Sequence, residues 1–244
     1  MEIKVPTSMY EVPLYQMLEY TELSEEIPEN LKQLHAVSIF CQISMDEVRQ
    51  MPLSILNKAI TIISKWANEK PKFYQTFEYK GKKYGFIPNL DTLPMGEYVD
   101  LDNYLKENRD MYKVMSVLYR EITIEGQGKR YDIETYKGEI NEDFKELPSE
   151  ICFGARVFFW SLGIDLLSYI QKSLRAVRKG QRKKSALPKN GDGWESFNYS
   201  LTEILQDLKQ SVERPCISVS SGRVTKATLV NWNNQNLKKQ SNEQ

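Results

Sequence analysis

The stretch PKFYQTFEYKGKKYGFIP, residues 71–88, decides the fold, because here the spacing of apolar residues changes from helical to alternating. Phe77 and Tyr79 precede a turn at residues 80–82, and Tyr84 and Phe86 resume the alternation after it. Alternating aromatic residues on both sides of a short turn that contains glycine are typical of a β-hairpin. The chain is therefore expected to form antiparallel strands within a sequence that is otherwise patterned for helices.

Helical patterns fill the chain before this hairpin. After short extended pieces we expect a short helix near residues 14–20, and either Ser24 or Pro28 opens the next one. Ser44, with Glu47 three residues later, predicts a short capped helix that ends near residue 52. A longer helix follows over residues 53–69. The predicted apolar faces are Leu31, Leu34, Val37 and Cys41 in the second helix and Leu53, Leu56, Ile60, Ile63 and Ala67 in the longer one.

The residues after the hairpin continue the mixture of helix and strand. Two prolines predict a turn over residues 88–94, Gly96 is expected where a side chain would clash, and helical spacing then continues through residue 122. Gly126 and Gly128 lie between two alternating arms and predict a second hairpin. Ser149 is a candidate cap for a long apolar helix.

Helices with hairpins, and without regular alternation of strand and helix, indicate an α+β fold: a mostly helical body with two short antiparallel β-hairpins. The pattern predicts a main domain over residues 1–174, a basic linker over residues 175–193, and a C-terminal helix with a flexible tail over residues 194–244. The tail from residue 214 shows little pattern, and residues 231–244 are expected to stay disordered until a partner binds them.

Composition argues against several classes of site. The chain has 33 basic and 33 acidic residues, so its bulk charge favours neither a nucleic acid nor a membrane partner. His35 is the one histidine, and the three cysteines, Cys41, Cys152 and Cys216, contain no CxxC pair. We therefore expect buried thiols in a reducing compartment, and neither a metal nor histidine-based catalysis. The GQGKR sequence at residues 126–130 lacks the spacing of a phosphate-binding loop, and no cofactor is expected.

The acidic residues after the first hairpin are spaced closely enough to suggest a metal-binding loop or a catalytic pair of carboxylates. Counting from Asp91, the third and fifth positions are Leu93 and Met95, so the calcium-loop pattern fails. Carboxylates near the start of a helix are stabilised by its dipole. The pattern favours this role over acid–base catalysis, and we expect the chain not to be an enzyme. The carboxylates concerned are Asp91, Glu97, Asp100 and Asp102.

The apolar segment at residues 151–170 is long enough to span a membrane, and a basic segment follows it. Arg156 and Asp165 oppose insertion by about 2.5 to 3.5 kcal/mol each, whereas the strongly apolar residues favour it by roughly 0.3 to 0.6 kcal/mol each. We therefore expect a buried helix of a soluble protein and no membrane span. Gly154 would allow close approach of another backbone, and Arg156 would cover the indole of Trp160.

A basic run after this helix is the strongest local charge feature. Such a run can neutralise phosphates, but it lacks the interleaved aromatic residues of single-strand binders. The pattern favours a solvated helix end and linker, with contact to a nucleic acid or a protein partner as the alternative. The residues proposed for that contact are Arg175, Arg178, Lys179, Arg182, Lys183 and Lys184, and Lys172 precedes them.

Four segments resemble a group of proteins encoded in the genomes of tailed bacteriophages, including the crAss-like group. They are AVSIFCQISMDEVRQMPL at residues 36–53, YGFIPNLDTLPMGEYVDLD at 84–102, MYKVMSVLYREI at 111–122 and FGARVFFWSLGIDLL at 153–167. The resemblance covers about residues 5–174 and the helix after residue 194. The N-terminal half is also similar to tail assembly chaperones of other phages.

The resemblance implies a non-enzymatic structural or assembly protein of the phage neck or tail, such as a ring or adaptor protein. Its partners would be other neck, tail or portal proteins and further copies of itself, assembled in the host cytoplasm and retained in the virion. Two alternatives stay open: a tail assembly chaperone that is absent from the mature particle, and a DNA-associated packaging or injection protein that uses the basic run.

Overall fold

The computed structural model describes residues 3–88, 94–105, 107–126 and 131–181, and after these residues 202–203, 205–206, 209–210, 212–213, 217 and 219–225. Over these residues the fold is α+β, as the sequence predicts. The elements are α1 Leu14–Glu26, α2 Glu29–Cys41, α3 Met45–Gln50, α4 Leu53–Ala67, β1 Thr76–Tyr79, β2 Lys82–Phe86, α5 Met95–Tyr104, α6 Met111–Leu118, β3 Tyr119–Glu125, β4 Tyr131–Ile133 and α7 Ser149–Gln181.

The first four helices begin where local chemistry allows a helix to start. The Ser44 hydroxyl accepts a hydrogen bond from the Glu47 N–H, and the Glu47 carboxylate accepts one from the Ser44 N–H, so the predicted capping box is confirmed. Pro28 and Pro52 precede α2 and α4. Ser24 lies inside α1, which runs beyond the short helix expected near residues 14–20, so of the two predicted starts for α2 the one at Pro28 is right.

The helical layer closes around three aromatic rings. Tyr20 of α1, Phe40 of α2 and Trp66 of α4 are buried, and both ring pairs that include Phe40 have centroids 5.2 Å apart. The Trp66 indole N–H donates to the Pro6 carbonyl at 3.0 Å, which fixes the N-terminal segment against α4. Burial of these large apolar surfaces is the main favourable term in this part of the fold.

The four strands form one antiparallel sheet in the order β1-β2-β3-β4, which includes the two expected hairpins. The predicted hairpin at residues 71–88 is present, and its two-residue loop has positive φ at both Lys80 and Gly81, as a type I′ turn requires. The second predicted hairpin pairs β3 with β4. Because β2 also pairs with β3, with Gly85 opposite Arg120, the two hairpins share a single sheet.

The boundary between α6 and β3 corrects the sequence prediction. Helical spacing was expected through residue 122, but α6 ends at Leu118 and Tyr119 begins β3 without a loop. One apolar run thus serves two elements. Tyr119 is buried and contacts Phe77 and Phe86, with ring centroids 5.0 and 5.3 Å away, so its packing beneath the sheet accounts for the change of backbone conformation.

The start of α7 lies against another backbone. A Cβ on Gly154 would come within 1.9 Å of the Lys72 carbonyl oxygen, which confirms the expected close approach at this glycine. Gly96 of α5 is different, because a Cβ there would meet nothing within 4 Å, so the expectation of a clash is wrong. Ser149 begins α7, but its buried hydroxyl makes no hydrogen bond within the described part of the chain.

The chain divides into two compact units. Unit 1 comprises residues 1–154 and 216–244, and unit 2 comprises residues 155–215. The C-terminal segment, expected to have little pattern, returns to unit 1, where Ile217, Val219 and Val224 are buried. Residues 231–244, which were expected to be disordered, lie outside the described residues. In unit 2 the described residues between 202 and 213 are helical, where the sequence predicts a helix.

Candidate functional site

The predicted basic contact lies at the end of α7. Arg175, Arg178 and Lys179 fall within this helix, which continues to Gln181. Arg182, Lys183 and Lys184 lie outside the described residues. At positions i, i+3 and i+4, the three helical residues share one side of the helix. The structure therefore brings half of the predicted set together by its backbone.

The acidic residues after the first hairpin form separate contacts. Glu97, in the first turn of α5, is buried and binds Arg120 of β3 through both carboxylate oxygens, at 3.0 and 3.1 Å. Asp100 accepts a hydrogen bond of 2.8 Å from the Tyr136 hydroxyl. Asp91 lies outside the described residues, and Asp102 lies in α5. Glu97 is placed at the helix start as predicted, but a partner 23 residues away takes up its charge.

Arg120 of this pair lines a cleft of about 310 Å³ on β2, β3 and the loop that follows β4. The Arg120 Nε is buried and has no hydrogen-bond partner in the described ranges. Burial raises the pKa of Tyr84 and of Tyr136, and the hydrogen bond to Asp100 raises that of Tyr136 further, so both phenols stay protonated near neutral pH. The residues that line the cleft include Tyr84, Ser116, Arg120, Tyr136, Asn141 and Phe144.

The side chains of this cleft are suited to hydrogen bonding. Lys82 and Glu121, both on its rim, pair with each other at 2.7 Å, so their charges are already compensated. Arg120 is held by Glu97, and its guanidinium carbon lies 5.8 Å from the Tyr136 ring centroid. The arrangement can hold a small polar group by hydrogen bonds. Sequence reasoning missed it because the contact between α5 and β3 is long-range.

The histidine and the two described cysteines are at least partly buried. His35 of α2 is half-buried, and this burial lowers the pKa of its imidazole. Burial raises the pKa of the Cys41 thiol to about 11, so the thiolate that would act as a nucleophile is scarce at neutral pH. Cys152 is also buried, and Cys216 lies outside the described residues. Among the side chains that the structure describes, no group of His, Cys, Asp and Glu is arranged to hold a metal ion.

The apolar helix α7 is only partly buried. Residues 151–155 are buried, as expected of a core helix, but residues 156–173 are half-buried or exposed wherever their side chains are described. Leu162 is 40% and Tyr169 is 69% exposed. The Arg156 guanidinium carbon lies 4.9 Å from the centroid of the Trp160 ring, which confirms that contact. The expected burial therefore holds for the first turns only.

Length and composition alone would also let α7 cross a membrane. The qualifying part is residues 149–173, and only 29% of its most apolar window is buried. A partly buried helix of a soluble protein meets the same criteria, so this property alone does not choose between a lipid and a protein neighbour.

No protein-family description, curated protein or solved structure matches this chain.

Proposed function

We propose that the chain is a non-enzymatic structural or assembly protein of the neck or tail of a tailed bacteriophage, a ring or adaptor that works through protein–protein contacts. The observation that carries the proposal is the apolar face of α7 over residues 156–173, which the described fold leaves half-buried or exposed. An apolar helix of this length is costly to leave in water, and a neighbouring protein removes that cost.

The resemblance of residues 36–53, 84–102, 111–122 and 153–167 to phage proteins gives the proposal its biological setting. A ring is made of identical copies, so the first neighbour to test for the α7 face is a second copy of the chain. Other neck, tail or portal proteins would then bind the assembled ring.

Mass spectrometry of purified virions tests the proposal. We expect the chain in the mature particle at a fixed, small copy number, together with the portal and tail proteins. Absence from particles, with presence in the infected cell, would overturn the structural role and support the tail assembly chaperone. Absence from both particles and phage-infected cells would contradict the phage setting itself.

The basic end of α7 supports a second candidate, a DNA-associated packaging or injection protein. Arg175, Arg178 and Lys179 share one side of a continuous helix, and three further basic residues follow at 182–184. This candidate predicts DNA binding that weakens steeply with salt and is lost when Arg178, Arg182, Lys183 and Lys184 are changed to Gln. Binding that survives these changes would exclude the basic run as its cause.

A further inference from the structure

The C-terminal segment of unit 1, of which residues 217 and 219–225 are described, is held by two amide side chains of α2 and α4. Gln33 of α2 donates from Nε2 to the carbonyl oxygens of Ser220 and Gly222, at 2.6 and 2.9 Å. Asn57 of α4 accepts at Oδ1 from the Val224 N–H at 2.9 Å and donates from Nδ2 to the Val224 carbonyl at 3.4 Å. Unit 1 therefore binds the segment by its backbone.

The Asn57 contact imitates strand pairing, since one amide satisfies both backbone groups of one residue. Gln33 is itself buried, although it shares a face of α2 with the buried apolar residues Ala36 and Val37. A buried amide is stable only if it is hydrogen-bonded, and for Gln33 the two carbonyl groups of the segment provide these bonds. The surface of α2 and α4 is thus a docking site that needs an extended peptide to be complete.

The side chains of the segment differ in burial. Ile217, Val219 and Val224 are 5%, 2% and 4% exposed, whereas residues 220–223 face solvent. The bound segment therefore has buried apolar residues at both ends and an exposed, polar centre. A cleft of about 540 Å³ lies between α4 and the segment, and its lining includes Lys58 and Ile62 of α4 and Arg223 of the segment.

The connection of this segment to the rest of unit 1 is indirect. The chain leaves unit 1 after Gly154 and returns at Cys216, and residues 155–215 form a separate unit. The contacts of the segment with Gln33 and Asn57 thus join positions 167 to 189 residues apart. Every copy carries the same site and the same segment, so a neighbour's segment would make identical contacts.

We propose that the α2–α4 surface is an exchange site, which in the assembled protein is filled by the C-terminal segment of a neighbouring copy. This inference rests on the proposed function, because it needs copies that lie side by side. Exchange creates no new contact and breaks none, so its equilibrium depends on the concentration of neighbours relative to that of the chain's own segment. Assembly raises the local concentration of neighbouring segments and therefore drives the exchange.

Cross-linking between two distinguishable chains tests the exchange. Lys58 and Arg223 line the same cleft and make none of the docking contacts, so Lys58→Cys and Arg223→Cys mark the site without damaging it. Both full-length chains carry Cys216→Ser, and Cys41 and Cys152 are buried. Differently tagged chains are mixed, assembled at high concentration and treated with a short bis-maleimide reagent, and light scattering of the same sample reports association. A single chain with both cysteines controls for the reagent.

We expect a cross-linked pair of chains that grows with concentration, and its loss when Val219 and Val224 are changed to Asp in the chain that carries Arg223→Cys. Cross-links that stay within the doubly labelled chain at every concentration would overturn the exchange, whether or not the copies associate. Association by light scattering without such a pair would leave the proposed function standing. The virion measurement decides the proposed function separately.

Discussion

At the scale of single residues, the contact between Glu97 and Arg120 combines two hydrogen bonds with burial. The side chains of Glu97 and Arg120 are 5% and 13% exposed, and two hydrogen bonds join them. Glu97→Gln leaves the buried guanidinium without the carboxylate that is hydrogen-bonded to it. We expect it to lower the free energy of unfolding by about 3 kcal/mol, measured by urea titration followed by circular dichroism.

The neighbouring residue on β3 provides the matched control. Glu121 pairs with Lys82 at 2.7 Å, but the two side chains are 41% and 57% exposed. Solvent screens such a pair, so Glu121→Gln is expected to cost less than about 1 kcal/mol. Equal losses for the two variants would show that burial does not set the contribution of the Glu97–Arg120 contact.

His35 gives the fold a pH dependence that can be isolated. Burial holds the pKa of its imidazole below the unfolded value of about 6.5, so protonation favours the unfolded chain. Its contribution is complete above pH ~6.5 and is lost progressively as pH falls from there towards the lower folded pKa. We expect Tm to fall between pH 7.5 and 5.5.

His35→Gln should flatten the dependence of Tm on pH over the same range. Glu47 and Glu134 have lowered pKa values, because the Ser44 N–H and the Lys137 ammonium, respectively, hydrogen-bond to their carboxylates. Their contributions are present above the unfolded value of about 4.3 and are lost below it, outside this range. An unchanged slope in the variant would assign the titration to another group.

At the scale of elements, two helical glycines are expected to respond in opposite directions to the same substitution. In Gly154→Ala the new methyl group meets the Lys72 carbonyl, and a backbone atom cannot turn aside as a side chain does. We expect a loss of more than about 2 kcal/mol, because α7 must separate from the residues before β1. Gly96→Ala enters open space inside α5 and should raise stability by up to about 1 kcal/mol.

Thermal unfolding of the two alanine variants measures both effects under the same conditions. A loss at both positions would point to a shared need for backbone freedom at these glycines. A neutral result for Gly154→Ala would show that the segment at residue 72 can move away from α7 without cost.

Local chemistry explains which elements the sequence predicts well. The Ser44 cap, the proline before α2 and the Lys80-Gly81 turn each act over a few residues, so they can be recognised from the sequence alone. The end of α6 is not, because its apolar run suits both helix and strand, and packing of Tyr119 under the sheet decides between them. The pairing of β2 with β3 is equally hard to predict, because it joins segments that no local sequence signal connects.

At the scale of the whole molecule, the contacts on which the proposals rest were the hardest to predict. Gln33 looks like a polar interruption of an apolar face until the C-terminal segment supplies its carbonyl partners. That segment looks patternless because it alternates over only a few residues and uses its backbone for binding. The exposure of α7 was equally hard to predict, because an apolar helical pattern indicates burial but does not identify the surface that covers the helix.

The exposed face of α7 leads to the last prediction. Leu162→Asp combined with Tyr169→Asp places two charges on side chains that are 40% and 69% exposed, so the folded chain should keep its Tm. If copies of the chain meet through this face, desolvation of the carboxylates opposes the contact. We expect light scattering to show association of the unmodified chain and a mass near 28.5 kDa for the variant.

Ile124→Asp is the control for a general effect of charge on solubility, because Ile124 is 61% exposed but belongs to β3. It should leave association intact. Association that persists in the α7 variant would remove this face from the assembly. If the unmodified chain floats with lipid vesicles and the α7 variant does not, the face binds a bilayer instead of a protein. A carboxylate is as costly in the hydrocarbon as in a protein contact, so the substitutions would prevent either one. With these two substitutions, light scattering therefore tests the α7 face for a protein neighbour and flotation tests it for a membrane.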